Sequence, residues 1–346
     1  MAFLGFVLTI AVHPWLIGGF VTLRWLVLLG AVPALMAMQE RGVRLGWEWT
    51  IVLAWGAASL LWAPNAALGA DKLLHLAILF LLFNLGGSRD LAQGMCWGMI
   101  VNALVCVIQL FGYWPGPSII HSVPGGLYLN RNMMAEIAGP LAVWAVAQRQ
   151  WKWSIGPVAC MILAPDRAAI VAVGVLIAAW RKRWAWLSLI ALGIGFAALT
   201  YFKGIESFGE RAIIWRHAWE EISLWGNGLG AFRVNWPHLE YVHCDPMEFV
   251  YELGIGALPL VWLVWRGFRG DGALATKLAF AALLVESLFS FPFQLPSSAA
   301  LGASLLGDLY RAREPLRVAE PQRRAATARS PNRRTAQLGY ARRRAF

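Results

Sequence analysis

The chain has 346 residues, of which 59% are hydrophobic and only 14% charged, with a net charge of +11 and a mean hydropathy of +0.56. A soluble domain carries roughly a quarter charged residues, and this much apolar surface cannot all be buried in one core; it needs lipid as solvent. A soluble enzyme or a small disulfide-stapled domain is therefore excluded, and twenty tryptophans fit a chain that meets membrane–water boundaries.

The expected fold is an all-α membrane protein. Apolar runs separated by charged breaks give about twelve transmembrane helices, at 2–20, 23–38, 47–62, 73–85, 91–113, 133–147, 153–163, 168–180, 184–202, 249–265, 273–289 and 297–310. Several are shorter than the ~20 residues that cross a bilayer, so they are expected to tilt, merge or re-enter. Pro14, Pro157 and Pro259 should kink or end their helices. The opening residues lack a charged leader and an A-x-A site, so no cleavable signal peptide is expected. Cys96, Cys106 and Cys160 fall in spans and Cys244 stands alone in a loop, so no disulfide framework is expected.

Orientation follows from the positive charges. With both termini cytoplasmic, Arg41, Arg44, Arg89, Arg149, Lys152, Arg181, Lys182, Arg183, Arg266, Arg269 and Lys277 all fall inside. The segment 311–346 adds eleven arginines against two glutamates. Its low apolar content and prolines predict a disordered Arg-rich cytoplasmic tail. That tail fixes topology and lies on anionic headgroups; no nucleic-acid module accompanies it, and no nucleic-acid partner is expected. The domain reading is thus a transmembrane unit over 1–310 followed by the tail.

Eight basic residues stay outside: Arg24, Lys72, Arg131, Arg167, Lys203, Arg211, Arg216 and Arg233. Two outer loops, near 114–132 and 203–248, hold several of them. The second begins as a helix in "ERAIIWRHAWEEISLW". Arg211 and Trp215 are four apart and share a face. Arg216 lies about 140° around from Arg211, after five steps of ~100°, so one straight helix does not aim both at one point. "GNGLG" at 226–230 has no preceding strand and is no dinucleotide fingerprint; it reads as a tight glycine turn past a helix end. Then comes "YVHCDPMEFVYELGIGAL", with His243, Cys244, Asp245 and Glu248 at the mouth of an apolar run.

These pieces resemble the O-antigen ligase and O-antigen polymerase superfamily. Arg211-x-x-x-Trp215, "LWGNGLGAF" and "VHCDPMEFVYELGIGAL" are similar to its arginine-and-tryptophan helix, glycine turn and histidine before a span. "GGLYLNRNMMAEIAGPLAVW" is similar to its outer-loop asparagine motif, with Asn132. "LAPDRAAIVAVGVL" is similar to its Ser-Arg span start, with Asp166 in place of the serine. The resemblance covers roughly 125–260.

It implies a GT-C-like membrane glycosyltransferase in the bacterial inner membrane, with its active site on the periplasmic face. The donor would be a polyprenyl (undecaprenyl) diphosphate-linked glycan. The acceptor would be a hydroxyl of a glycan or of lipid A core, and no metal or cofactor is implied. Arg167 and Arg211, with Arg216 a weaker match, would hold the diphosphate. His243 would be the catalytic base or position the acceptor, with Trp215, Asn132 and Asp245 in support. Asp166 departs from the pattern, because a carboxylate beside Arg167 competes with a diphosphate. The outer loop is also shorter than is common in the family. A polymerase using the same donor is the first alternative, and a transporter or flippase of lipid-linked glycan the second, although no internal repeat is evident.

The chemistry of these residue types agrees with such roles. Guanidinium forks match phosphate oxygens and stay charged, and fixed positive charge stabilises a leaving diphosphate. A histidine can accept the proton of a sugar hydroxyl. The lipid part of such a donor lies in the bilayer and the glycan in water, so the reacting groups belong at the mouth of a span. His243, Cys244 and Asp245 are also three metal-ligand types in a row, but adjacent residues rarely converge on one ion, even with His238 nearby. His217 and His238 read as loop or helix-surface residues. His13, His75 and Asn102 read as interhelical hydrogen-bonding groups. Glu136 and Glu286, as intramembrane acids, are functional candidates or ion-pair partners.

Overall fold

The computed structural model describes residues 1–12, 19–39, 43–44, 46–113, 124–128, 130–165, 174, 206–236 and 242–312. Among them all regular structure is helical. The helices are α1 Ala2–Ile10, α2 Gly19–Met38, α3 Trp47–Ser59, α4 Ala66–Leu85, α5 Ser88–Leu110, α6 Arg131–Ala147, α7 Trp151–Leu163, α8 Glu206–Glu220, α9 Ala231–Asn235, α10 Asp245–Leu253, α11 Leu258–Arg269, α12 Leu274–Ser287 and α13 Pro296–Arg311. Four stretches, Val21–Met38, Ala66–Leu85, Ser88–Leu110 and Asp245–Arg269, are long and apolar enough to cross a membrane. The expected spans 168–180 and 184–202 and the Arg-rich tail lie outside the described residues.

The expected span 2–20 is interrupted: α1 stops at Ile10. The last carbonyls of a helix need partners, and side chains supply them here. Arg24 Nη2 donates to Thr9 O at 3.0 Å and its Nε to Ala11 O at 2.9 Å. Asn102 Nδ2 also donates to Thr9 O, at 2.9 Å. Arg24 is fully buried, and its Nη1 donates to Ser297 Oγ at 3.2 Å. One guanidinium thus ties the end of α1 to α2 and α13. Asn102 also accepts from Leu127 N at 2.9 Å, an inter-element role of the kind its place in an apolar helix implies.

Small residues let α1 lie directly on α5. A Cβ on Gly94 would stand 1.8 Å from Ala2 O, and one on Gly5 2.2 Å from Leu91 O. Close backbone approach of this kind is how helices associate in lipid, where burial of apolar surface gives little drive. Around this pair, α7 packs on α5 and α6, α12 on α6, and α13 on α4. Several turns gather at one end: Arg266 pairs with Glu48, and Asp308 accepts from Gly87 N and Ser88 N at 3.2 and 2.8 Å. The charges sorted together in the sequence include Arg266 and Arg311, which both stand at this end.

The stretch 249–265, expected as one span, lies within the apolar stretch Asp245–Arg269 but is not one continuous α-helix. Gly254 ends α10 at φ +55° and a 3-10 turn, Gly254–Ala257, leads into α11, with Pro259 in its first turn. The carbonyls released by the break are all taken. Asn227 N donates to Tyr251 O at 2.9 Å and Gly228 N to Glu252 O at 3.0 Å, while Trp55 Nε1 donates to Leu253 O at 2.8 Å. The "GNGLG" turn therefore acts as a cap on the broken helix, with Gly226, Gly228 and Gly230 at φ +77°, +91° and +77°.

Gly254→Ala is expected to destabilise the fold. An L residue at that φ costs on the order of 1–3 kcal/mol, and the new Cβ would lie 2.2 Å from Leu224 O. Thermal unfolding in detergent should show a lowered midpoint, whereas Gly30→Ala, whose Cβ would meet nothing within 4 Å, should not lower it. Equal midpoints for the two variants would refute this account of the break.

Candidate functional site

The second long loop folds against α10. Ile214 and Ala218 of α8, Phe232 of α9, Val242 and Tyr251 make a small separate core. This core holds the residues before α10 in place from both sides. Trp215 Nε1 donates to Val242 O at 3.0 Å, and Val242 N donates to Glu248 Oε2 at 3.2 Å. Three residues further on, Asp245 Oδ2 accepts from Phe293 N at 2.8 Å. His243 sits between these anchors at φ +57°, a left-handed conformation uncommon for a residue with a side chain. Pro246 follows in the first turn of α10, where its missing N–H is no loss.

His243 is half-buried, with its ring 5.1 Å from that of Phe291. Its Nδ1 is buried and has no hydrogen-bond partner among the described residues. Burial first, and the positive charge of Arg211 second, pull its pKa down to about 4. The imidazole is therefore neutral at ordinary pH, the form that accepts a proton. Burial pushes the neighbouring Cys244 thiol up, away from the thiolate that attacks carbon or binds metal.

Arg211 lies on the face of α8 that turns toward the same place, and its Nη1 donates to Phe289 O at 2.8 Å. The Trp215 ring is 6.5 Å from that of Phe289. Ser290 Oγ donates to Glu136 Oε1 of α6. Thus Arg211, Glu136, His243 and Asp245 meet residues 289, 290, 291 and 293 in turn. The connection between α12 and α13 is the strip on which the candidate groups are assembled.

Below the strip lies an apolar cavity of about 330 Å³ between α10–α11 and α3, α4, α12 and α13. Phe249, Val261, Val264 and Phe280 line it, and Asp245 and Phe293 form part of its wall. Asp245 and Phe293 thus bring the strip to the wall of a cavity whose lining is otherwise almost wholly apolar.

Other candidates fall elsewhere. Arg216 is exposed and pairs with Glu220 at 2.9 Å on the solvent side of α8. Asn132 gives its backbone N–H to the Asn130 side chain, which caps α6 at 2.9 Å. His75 stacks on Trp25, and His217 lies against Trp236. Arg167, its neighbour Asp166, His13 and His238 lie outside the described residues.

Two features of the site have no counterpart in the sequence reading. One is the 289–293 strip. The other is Lys72 of α4, which donates to Glu248 at 2.6 Å and to Glu252 at 2.7 Å, so that Glu248 joins Lys72 to the backbone of Val242. The four-residue spacing of the two glutamates, which puts them on one helix face, is the signal for a buried cation between them.

The described residues form an all-helical protein with helices apolar enough to cross a membrane, in which a histidine and an arginine meet a strip that borders an apolar cavity. No protein-family model matches the chain, and no curated protein matches it in sequence.

Proposed function

We propose that the chain transfers a glycan from a polyprenyl-diphosphate carrier to an acceptor hydroxyl, in the manner of an O-antigen ligase, as the resemblance of its motifs implies. The finer reading goes with it: a GT-C-like unit of about twelve spans in the bacterial inner membrane, termini in the cytoplasm and site facing the periplasm. The observation that carries the proposal is that His243 and Arg211 both meet the 289–293 strip, whose Phe293 forms part of the wall of the apolar cavity. A polyprenyl chain is hydrocarbon and its diphosphate is anionic; the apolar cavity suits the first and the Arg211 guanidinium on the adjoining strip the second.

In the step proposed, the acceptor oxygen attacks C1 of the donor sugar. The C1–O bond to phosphate breaks, its electron pair leaves with the polyprenyl diphosphate, and the hydroxyl proton passes to His243. Arg211, with Arg167, balances the charge that grows on the diphosphate. Trp215, Glu248 and Asp245 act through the backbone, holding His243 in its left-handed position. Arg216, paired in solvent, is left the smallest part.

A transporter reading draws on broken membrane helices, whose free carbonyls bind ions. In this chain the carbonyls at the Gly254 break are occupied by protein donors, which favours the transferase.

Deletion of the gene tests the proposal, followed by gel analysis of lipopolysaccharide and of polyprenyl-linked glycan. Ligase activity predicts full-length polymer stranded on the lipid carrier. A ladder collapsed to a single repeat would make the chain a polymerase with the same donor, and unchanged profiles would reject both.

A further inference from the structure

On the other side of the strip, between α2 and α4, lies a second pocket of about 210 Å³. It is bounded by Asp71, Arg233 and Gln294 at its polar part and by Trp25, Leu26 and Leu29 at its apolar part. We infer that this pocket binds a sugar unit of an amphiphilic acceptor, so that donor and acceptor approach the strip from opposite sides. This deepens the transferase reading and rests on it.

The charges in the pocket argue for a neutral ligand. Lys72 is already held between two carboxylates. Asp71 and Arg233, of opposite sign, offset one another. The named groups carry no excess of positive charge, so nothing selects an anion.

What remains is a mixed set of donors and acceptors. The Arg233 guanidinium and the Gln294 amide have no hydrogen bond among the described residues, and Asp71 has only a 3.8 Å approach to His75. A carboxylate accepts, a guanidinium donates and an amide does both. That is the complement of a group of hydroxyls, each of which is donor and acceptor. The leucines below suit an alkyl stem or the apolar face of a sugar ring. Gln294 directly follows Phe293, whose N–H holds Asp245, so a sugar bound there lies beside the strip that carries His243.

The test uses the full chain in nanodiscs with Thr22→Cys as reporter. Thr22 is exposed and lines the pocket, and the change is close to isosteric. Its labelling by an impermeant maleimide, read against the wild-type chain, should slow several-fold with hexyl glucoside below its micelle concentration. Hexyl tetraethylene glycol ether should not protect. Adding Arg233→Ala and Gln294→Ala should abolish the protection. In the transfer assay each of these two changes should raise the acceptor KM by about twofold to tenfold, the effect of a lost hydrogen bond, with donor KM unchanged. Equal protection by both amphiphiles, or by neither, would overturn the sugar site. Intact protection with an unchanged acceptor KM in both variants would overturn its acceptor role. Protection is read without turnover, so its failure is distinct from failure of the transferase reading.

Discussion

His243→Ala is expected to slow glycan transfer by about 10²–10⁴-fold, the usual share of general base catalysis, while donor binding stays largely intact. The expectation follows from the geometry around the ring. His243 is flanked by anchored residues at 242 and 245 and carries a buried Nδ1. Alanine is strained at φ +57°, so His243→Asn provides a second variant. Asparagine tolerates left-handed backbone but supplies no base, and it should be as slow as the alanine chain. The pH dependence has a definite sign. Neutral imidazole is the working form, so kcat/KM of the free enzyme should fall as pH drops through about 4, not through the ordinary histidine value. Chelators should leave the rate unchanged, since the mechanism calls on no metal. Wild-type rates in both variants would remove His243 from the chemistry. Activity lost to EDTA and restored by one divalent ion would replace this mechanism with a metal-dependent one.

Arg211→Ala should reduce kcat by about 10²–10³-fold, the effect of removing one group that stabilises developing negative charge. Arg211→Lys should also be impaired, because an ammonium is a point charge without the planar fork and cannot both hold Phe289 O and face a diphosphate. The two variants should differ in a second way. Arg211 helps to depress the His243 pKa. In Arg211→Ala the acidic limb of the residual kcat/KM should therefore move upward, toward neutral pH, whereas Arg211→Lys keeps the charge and should keep the limb low. The upward move is partial, since burial, the larger cause, remains. Full activity in Arg211→Ala would end its role. A residual limb that did not move would show that the arginine's charge does not reach the histidine.

Helix α8, the glycine turn and the residues before α10 were legible because their signals are local. Four-residue spacing sets Arg211 and Trp215 on one face, and the two do turn toward the 289–293 strip and Val242. The same rotation separates Arg216, which stands in solvent. Alternate glycines promise a tight turn, and all three have positive φ. What the turn caps was not legible, because its partners are backbone carbonyls some 25 residues further on. The 289–293 strip escaped for the same reason. It acts through Phe289 O, Phe293 N and one hydroxyl, and backbone groups leave no mark in a sequence pattern. The early end of α1 depends on Arg24 and Asn102, whose reach to Thr9 appears only once the helices are packed. Hydropathy alone reads through the breaks at Ile10 and Gly254, since the residues on both sides are equally apolar.

The most direct measurement is a single reaction. The purified chain, in nanodiscs, is given a synthetic polyprenyl-diphosphate glycan and a glycolipid acceptor, and both products are followed by mass spectrometry. The account predicts that free polyprenyl diphosphate appears in step with glycosylated acceptor, and that neither appears with the His243→Asn chain. Donor that stays intact in the presence of active wild-type protein and acceptor, or that crosses the bilayer without cleavage of its C1–O bond, would contradict it.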